Sequence, residues 1–301
     1  MSEIINLASI GQLVKALGFD DLKHPLVHTI DITRFKADDQ YNGAKFTTGF
    51  YSIYLKDADC GMQYGRNQYD FDQGVLSFIG PGQVVSATSG NESTYGWGLF
   101  FHPDLIRKSH LGKKIRTYNF FSYYVHEALH LSKKEEAILT DCVEKIKFEL
   151  EQNIDAHSQS LLISNIELLL NYCNRFYERQ FNTRTNHHKD VVTTIEELIK
   201  AYYNSNLQLE LGTPTIKYLA DKVNLSPNYL SDLLKKETGK NTKEHINEFV
   251  VDQAKTKLLN TEDNISEIAY DLGFNYPHYF SRMFKQKTGM TPQKYREVNL
   301  N

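Results

Sequence analysis

The amino-acid sequence predicts an α+β protein with two domains: an N-terminal β-barrel with two flanking helices, and an all-helical C-terminal domain. Three observations support this prediction. Residues 24–101 contain short β-branched and aromatic runs separated by turn residues, and residues 133–181 have the apolar periodicity of helices. Residues 190–301 contain an internal repeat of helical segments. A chain of 301 residues is long enough for both domains.

The N-terminal domain is expected to begin with a short helix at residues 3–18 and to continue as strands. The strand-like runs are Leu26–Phe35, Thr48–Lys56, Val75–Ile79 and Tyr95–Phe101. Turn clusters such as Gly80-Pro81-Gly82 separate these runs. Several short strands at this spacing predict a small antiparallel barrel or sandwich.

Two long amphipathic helices follow the strands. The first is predicted over Lys133–Glu151, because Ser132 and Glu135 form a capping-box pattern before an apolar stripe. The second is predicted over Ser158–Phe181, and its apolar residues exceed what packing on a small barrel requires. We therefore expect dimerisation through this helix, and the alternative is a helix packed only on its own barrel. The residues predicted at the dimer contact are Leu162, Leu169, Tyr172 and Phe176.

A polar segment separates the two predicted domains. Residues 182–189 (NTRTNHHK) show no apolar periodicity and predict a linker. The predicted boundaries are therefore 1–181 for the N-terminal domain and 190–301 for the C-terminal domain. From about Asp190 onward, the sequence has the pattern of helices.

The C-terminal domain contains an internal repeat, with copies at about residues 215–239 and 264–289. The offset is 49 residues at first, and 50 after one extra residue in the second copy. Each copy has an alanine suited to a close helix crossing, followed by a residue that readily adopts the left-handed conformation. These pairs are Ala220 with Asn224, and Ala269 with Gly273. A helix, a tight turn and a second helix in this order predict a helix-turn-helix unit in each copy.

Start and stop signals agree with two such units. Thr215 and Asn264 are good caps for the first helix of each unit, and Ser226 followed by Pro227 is a good start for a second helix. The second helices are expected to end at the glycines that complete each copy, Gly239 and Gly289.

Two stretches of the repeat closely resemble the DNA-binding domain of the AraC/XylS family. They are LADKVNLSPNYLSDLLKKETG and ISEIAYDLGFNYPHYFSRMFKQKTGMTPQKYR, and the resemblance covers about residues 190–298. The segments YDFDQGVLSFIGPGQ and GWGLFFHPDLI resemble the cupin-like N-terminal domain of many family members. One position departs from the family pattern, because Val250 stands four residues before Ala254 where a basic residue is usual. This departure implies the loss of one charged contact near DNA.

The resemblance implies a sequence-specific DNA-binding transcription regulator. Its partner is double-stranded DNA, and RNA polymerase is a further partner if the protein is an activator, as is usual in the family. The N-terminal domain is expected to bind a small-molecule effector or to form a homodimer. Activation and repression are both compatible with the sequence.

The outward-facing residues near the start of each second helix are expected to contact base edges. Helical spacing and the family resemblance give Asn228, Ser231, Asp232, Pro277, His278, Ser281 and Arg282 for base readout. Phosphate contacts are expected from Lys235, Lys236, Lys240 and Lys285. Alternatives remain open: Arg282 could contact a phosphate, Asn228 could be a helix-start residue, and Asp232 could orient a neighbouring lysine.

Net charge alone does not indicate DNA binding. The chain has a net charge of −3, and residues 190–301 contain 14 Lys and Arg against 15 Asp and Glu. The distribution is more informative than the sum. Residues 276–296 contain five basic residues and no acidic one, and residues 226–243 contain four lysines against two acids. Positive charge is therefore concentrated on the segments predicted to face DNA.

A helix joining the two units is predicted from Thr242, as its cap, to Asn260. Its apolar stripe consists of Ile246, Val250, Ala254 and Leu258. At ~1.5 Å per residue, about 18 residues span roughly 27 Å. Adjacent major grooves on one face of a duplex lie about 34 Å apart. A rigid helix of this length could hold both recognition helices in successive major grooves.

A metal-dependent enzyme is the alternative from another functional class. Residues 126–130 (HEALH) match the HExxH pattern of zinc proteases, and Glu144 or Glu149 could supply a third ligand. However, Ser132 begins a new helix two residues after His130, whereas the zinc motif requires one continuous helix. A metal-binding cupin is also disfavoured, because residues 36–101 contain no histidine. We therefore expect no metal, no cofactor and no catalytic residues.

The cysteines and the hydropathy pattern bear on the compartment. Cys60, Cys142 and Cys173 are odd in number and far apart, which is typical of reduced, buried thiols in a cytoplasmic protein. The sequence has no apolar run of roughly 18 residues and no signal-peptide pattern at its start. These observations predict a cytoplasmic protein that does not enter the membrane.

Overall fold

The computed structural model describes residues 4–18, 22–34, 44–56, 74–86, 95–124, 127–183 and 185–299. The chain divides into two compact units, Met1–Thr183 and Arg184–Asn301. This division lies inside the segment predicted as a linker. The described residues of that segment are helical rather than irregular, because the helices on both sides continue into it.

The strands of the N-terminal unit form two sheets. Their bounds are β1 (Ile4–Leu7), β2 (Val27–Asp31), β3 (Lys45–Thr48), β4 (Tyr51–Lys56), β5 (Gly74–Ile79), β6 (Val84–Ser86), β7 (Gly96–Phe101) and β8 (Leu129–Leu131). One sheet has the order β1-β3-β6 and the other β2-β7-β4-β5-β8. All pairs in the larger sheet are antiparallel, whereas β1 and β3 are parallel. Within the described residues the sheets do not close into a barrel, so the cupin-like barrel stays a prediction.

The helices of the N-terminal unit are α1 (Ile10–Ala16), α2 (Pro103–Ile106), α3 (His110–Lys114), α4 (Lys133–Glu151) and α5 (Ser158–Thr183). Short 3₁₀ turns lie at Ile32–Arg34, Ile115–Thr117 and Asn119–Ser122. The predicted bounds of α4 agree with the structure, and Ser132 and Glu135 form the expected capping box. The helix predicted at residues 3–18 is wrong in its first half. Ile4 and Ile5 pair with β3, and the helix begins only after Ser9, which caps it together with Gln12.

The larger sheet is covered on both faces. On one side, α1 contributes Ile10 and Val14 to a core with Phe50 and Phe100. On the other side, side chains at the end of α5 bind the segment before β8: the Tyr177 hydroxyl donates to the carbonyl of Glu127 at 3.1 Å. Buried apolar side chains therefore hold α1 on one face of the sheet, and α4 and α5 pack together on the other.

Of the four residues predicted to form a dimer contact on α5, three are buried and Tyr172 is half-buried. Leu162, Leu169 and Phe176 have exposed fractions of 1%, 0% and 6%, so they belong to the core of their own unit. Buried side chains cannot form the surface of a second contact. The large apolar residues that are exposed on α5 are Leu161 and Leu168, which precede the buried Leu162 and Leu169 in the sequence. Their exposed fractions are 48% and 42%.

Cys142 and Cys173 are free and buried, as predicted, and Cys60 lies outside the described residues. Burial raises the pKa of the Cys173 thiol, which keeps it protonated. None of the described helices is long and apolar enough to cross a membrane.

The described residues of the C-terminal unit form helices joined by short turns, without strands. Its helices are α6 (Thr185–Asn204), α7 (Leu207–Leu211), α8 (Ile216–Lys222), α9 (Pro227–Thr238), α10 (Thr242–Asn260), α11 (Ile265–Asp271), α12 (Pro277–Thr288) and α13 (Pro292–Asn299). The pairs α8–α9 and α11–α12 are the two predicted helix-turn-helix units, and α10 joins them.

Candidate nucleic-acid interface

The first helix of each unit begins at a side-chain cap. Thr215 Oγ1 accepts a hydrogen bond from the backbone N–H of Tyr218 at 3.1 Å. Asn264 Oδ1 accepts from the N–H groups of Ser266 and Glu267, each at 3.0 Å. Both residues were predicted as caps, and they fix where α8 and α11 begin.

The turn of each unit has the expected left-handed residue. Asn224 has φ of 54° and Gly273 has φ of 87°. The turns close in the same way, because the N–H groups of Leu225 and Phe274 each donate, at 3.0 Å, to the carbonyl of the buried alanine. The two units therefore place their second helices, α9 and α12, by the same local geometry.

Each second helix has one buried face and one exposed face. The buried residues are Leu230, Leu233 and Leu234 on α9, and Phe280 and Phe284 on α12. The exposed residues on the opposite faces include Asn228, Lys235 and Lys236 on α9, and His278, Arg282 and Lys285 on α12. The buried face fixes each helix on its unit, and the exposed face is left for a partner.

The predicted base-reading residues differ in accessibility. Pro277, Ser281 and Asp232 are half-buried, whereas Asn228, His278 and Arg282 are exposed. Ser231 is also half-buried, and its Oγ lies 3.0 Å from Thr242 Oγ1 at the start of α10. Its hydroxyl therefore also contacts α10, and its assignment to base readout stays a prediction.

Of the residues predicted for phosphate contacts, three lie on the exposed faces just described. Lys240 differs, because it follows α9 and its Nζ is 2.8 Å from Glu248 Oε2 on α10. Both side chains of this ion pair are more than 40% exposed, so water and salt screen the pair strongly.

The N-cap of helix α10 is Asn241 and not the predicted Thr242. Asn241 Oδ1 accepts from the N–H of Glu244 at 3.0 Å, and Glu244 Oε2 accepts from the N–H of Asn241 at 2.8 Å. This capping box makes Thr242 the first helical residue, and its side chain is buried. Reciprocal capping requires a Glu or Gln three residues on, which Asn241 has and Thr242 lacks.

The predicted apolar stripe of α10 is entirely buried. Val250, which stands where the family usually has a basic residue, is 1% exposed and part of this stripe. Arg296 of α13 stabilises the far end of the helix, because its Nε donates to the carbonyl of Leu258 at 2.9 Å. Helix α10 packs against α9 at one end and against α11, α12 and α13 towards the other.

A contact between the segment after α7 and the second helix-turn-helix unit was not predicted from the sequence. The segment after α7 packs against the turn of the second unit, where a Cβ on Gly273 would lie 2.9 Å from Gly212 C and Thr213 N. Nearby, the Tyr203 hydroxyl donates to the carbonyl of Leu272 at 3.3 Å. Gly212 and Gly273 both have positive φ. In a sequence, a glycine indicates only a turn, whereas the contact between these two joins distant parts of the chain.

Two titratable groups are perturbed inside this unit. Burial raises the pKa of Tyr203, which keeps its hydroxyl protonated as a donor to Leu272. Burial also lowers the pKa of His245, whose Nε2 lies 2.8 Å from Thr238 Oγ1 where α9 is followed by α10. Both effects favour the neutral side chains that the packing requires.

The zinc-protease alternative lacks its structural context. His130 lies on β8, and His126 lies outside the described residues. Glu127 is buried, and its Oε2 accepts from the N–H of Tyr124 at 2.6 Å. Within the described parts of the chain, no group of three or more His, Cys, Asp or Glu residues could hold a metal ion.

Comparison with known families agrees with the geometry of the C-terminal unit. A family described as a helix-turn-helix domain matches residues 219–297, which include both recognition helices. The chain has an AraC-type helix-turn-helix domain. The AraC-type domain contains all the residues predicted here to contact DNA.

Several curated relatives align with part of this chain. The transcriptional regulatory protein YesN of Bacillus subtilis is 37% identical over 92 residues, which are 29% of this chain and 25% of that protein. The HTH-type transcriptional regulator YijO of Escherichia coli is 24% identical over 227 residues, which are 75% of this chain and 76% of that protein. The chain thus spans only about a quarter of the length of the YesN relative.

The solved structures match about a third of the chain. The C-terminal domain of the response regulator yesN from Fusobacterium nucleatum is 33% identical, covering 33% of this chain and 95% of that one, with a TM-score of 0.29. The DNA-binding domain of AdpA, solved in complex with a target DNA, is 19% identical, covering 35% of this chain and 91% of that one, with a TM-score of 0.31.

Proposed function

We propose that this protein is a sequence-specific DNA-binding transcription regulator, without enzymatic activity, that reads duplex DNA with α9 and α12. The single observation that carries the proposal is that both helices are fixed by buried faces and leave basic faces exposed. The names of the relatives YesN and YijO, both transcriptional regulators, support it.

Within this proposal, the two units bind successive major grooves on one face of the duplex. Helix α10 has 19 residues, which correspond to about 28 Å at ~1.5 Å per residue. Groove spacing is about 34 Å, so units at the two ends of α10 are at a suitable distance. The packing of Gly273 against the segment after α7 supports a fixed rotation as well as a fixed spacing.

Base readout is proposed for exposed Asn228, His278 and Arg282, with Asp232, Pro277 and Ser281 beside them. Arg282 is best suited to direct readout, because a guanidinium can pair bidentately with guanine. Phosphate contacts are proposed for Lys235, Lys236, Lys240 and Lys285, which set the register of the protein on DNA.

The N-terminal unit is proposed to regulate DNA binding as a cupin-like domain. A cavity of about 490 Å³ lies between β2, the start of β7 and α4, and it is the candidate site for a small-molecule effector. Trp97 and Thr140 line this cavity and are joined by a hydrogen bond of 3.1 Å between Nε1 and Oγ1. Homodimerisation is proposed through the exposed Leu161 and Leu168 of α5. RNA polymerase is a partner if the protein activates.

Selection of binding sites from random duplex DNA with the full-length protein tests the proposed function. We expect an enriched sequence with two conserved segments about one helical turn apart, because each recognition helix reads one groove. Metal analysis of the same purified protein should find no stoichiometric metal. Recovery of no enriched sequence, or of a bound catalytic metal, would contradict the proposal.

A further inference from the structure

The two copies of the repeat differ where their second helices begin. At the offset of 50 residues, Ser226 corresponds to Tyr276, and Tyr229 corresponds to Tyr279. Ser226 is buried and its side chain caps α9, and Tyr229 is 4% exposed. In the second copy, Tyr276 makes no capping hydrogen bond and is 60% exposed, and Tyr279 is 56% exposed.

The local folding of α12 does not require the exposed ring of Tyr276. A serine at position 276 could satisfy an N–H group at the start of α12, as Ser226 does for α9. Tyr229 is buried on α9, which packs against α6, whereas α12 has no such contact with α6 among the described residues and Tyr279 is left exposed. The second unit instead has two large rings in solvent at the end of a recognition helix. Departures from local rules of this kind concentrate at functional sites.

The exposed rings lie together. His278 and Tyr279 have ring centroids 4.2 Å apart, and Tyr276 lies 5.7 Å from His278 and 5.9 Å from Tyr279. We call these three residues the aromatic cluster. Tyr279 lies one helical turn before Arg282, so the cluster and the exposed guanidinium are neighbours on the same helix.

The position and the charge of the cluster indicate what it binds. The start of a recognition helix is the part that meets base edges in the major groove. The only apolar group that the bases present there is the C5-methyl group of thymine. From Tyr276 to Arg296 the sequence has basic residues and no acidic one, which favours a polyanion as the partner.

We propose that Tyr276 and Tyr279, positioned by His278, contact thymine methyl groups beside the base pair that Arg282 reads. This proposal rests on the proposed function and adds a base preference to it. The half-site read by α12 then contains at least one thymine whose methyl group is required. The half-site read by α9 has no such requirement from the equivalent positions, because Ser226 and Tyr229 are buried.

The test uses the full-length protein and the duplex enriched by binding-site selection. Single thymines are replaced by deoxyuridine, which removes the methyl group and leaves base pairing intact. For wild-type protein we expect about a 4-fold loss of affinity at one or two positions in the α12 half-site, the size expected for one buried methyl group. Tyr276→Ala and Tyr279→Ala should bind the unmodified duplex more weakly and lose their sensitivity to deoxyuridine at those positions.

Tyr270→Ala is the matched control, because Tyr270 is 53% exposed on α11, outside the recognition helix. It should keep both the affinity and the deoxyuridine sensitivity of the wild-type protein. Tyr276→Ser is a second variant that preserves folding, since it restores the cap present at Ser226. It should raise the thermal unfolding midpoint while it abolishes the deoxyuridine effect.

Three results would overturn the inference. The wild-type protein could bind both duplexes equally, or the variants could lose affinity by the same factor on both duplexes, which would assign the rings to the sugar-phosphate backbone. The enriched α12 half-site could also lack thymine altogether. Each of these results is distinguishable from failure of the proposed function, in which no duplex sequence would be enriched at all.

Discussion

Replacement of Gly273 by alanine tests whether the two helix-turn-helix units are fixed by contacts other than α10. Gly273 has φ of 87°, a conformation that costs an alanine roughly 1–2 kcal/mol. The added Cβ would also lie 2.9 Å from Gly212 C and 3.0 Å from Gln208 O, both backbone atoms that cannot rotate away. Overpacking of this kind typically costs about 1–3 kcal/mol, so the total should be about 2–5 kcal/mol.

Gly289→Ala is the matched control in the same unit. Gly289 has φ of 79°, but a Cβ there meets no atom within 4 Å. The Gly289→Ala variant therefore has the strained backbone conformation without a collision of its Cβ. Gly239→Ala, at φ of 77°, is the same control in the first unit. The effect of alanine on the unfolded chain is common to all three variants. Gly273→Ala should thus exceed both controls by about 1–3 kcal/mol.

The measurement is amide hydrogen exchange of α11 and α12 peptides in the full-length protein, with urea titration, because a chain of two units need not unfold in one step. A DNase footprint on the enriched duplex gives the functional consequence, and Gly273→Ala should lose protection over the α12 half-site first. Equal destabilisation by Gly273→Ala and Gly289→Ala would refute the tight packing between the turn and the segment after α7.

Three further predictions concern contacts with DNA and with a second copy. Arg282→Ala should cost about 1–3 kcal/mol of specific binding free energy and relax the preference at one base position. Lys285→Ala should weaken binding to all sequences alike and reduce the salt dependence of binding. A uniform loss of affinity in both variants would place Arg282 on a phosphate. One residue inserted after Asp252 should turn the second unit by about 100° and shrink the footprint to one groove, so an unchanged footprint would contradict the fixed geometry. In sedimentation, Leu168→Glu should weaken dimerisation while the N-terminal unit stays folded. Leu169→Glu should instead unfold the N-terminal unit. A wild-type protein that is monomeric at high concentration would exclude the dimer.

Short-range features, such as helix caps and turn residues, were predictable from the sequence. Caps at Thr215, Ser226 and Asn264 and the left-handed residues Asn224 and Gly273 act within a few residues, so their chemistry is visible in a short window. The same holds for α10, whose buried stripe follows from spacing alone. Its start was misplaced by one residue, because Asn and Thr are both good caps and only the glutamate at the right spacing separates them.

Non-local contacts were not predictable. The helix expected at residues 3–18 was wrong because Ile4 and Ile5 pair with β3, some forty residues away in the sequence. The apolar residues of α5 were correctly recognised, but no periodicity could tell which of them face their own unit and which face outward. The Gly212–Gly273 contact was missed for the same reason, since each glycine alone only indicates a turn.

The two units of the repeat obtain their stability in different ways. The first unit uses the start of its recognition helix for folding, through the Ser226 cap and the buried ring of Tyr229. The second unit has neither of these two features, and it is held by the buried rings of Phe280 and Phe284, by the Arg296 hydrogen bond to the end of α10, and by the packing of Gly273 against the segment after α7. Because the buried rings of Phe280 and Phe284 hold α12 on its unit, the start of the helix can present exposed tyrosines at the position where base edges are met.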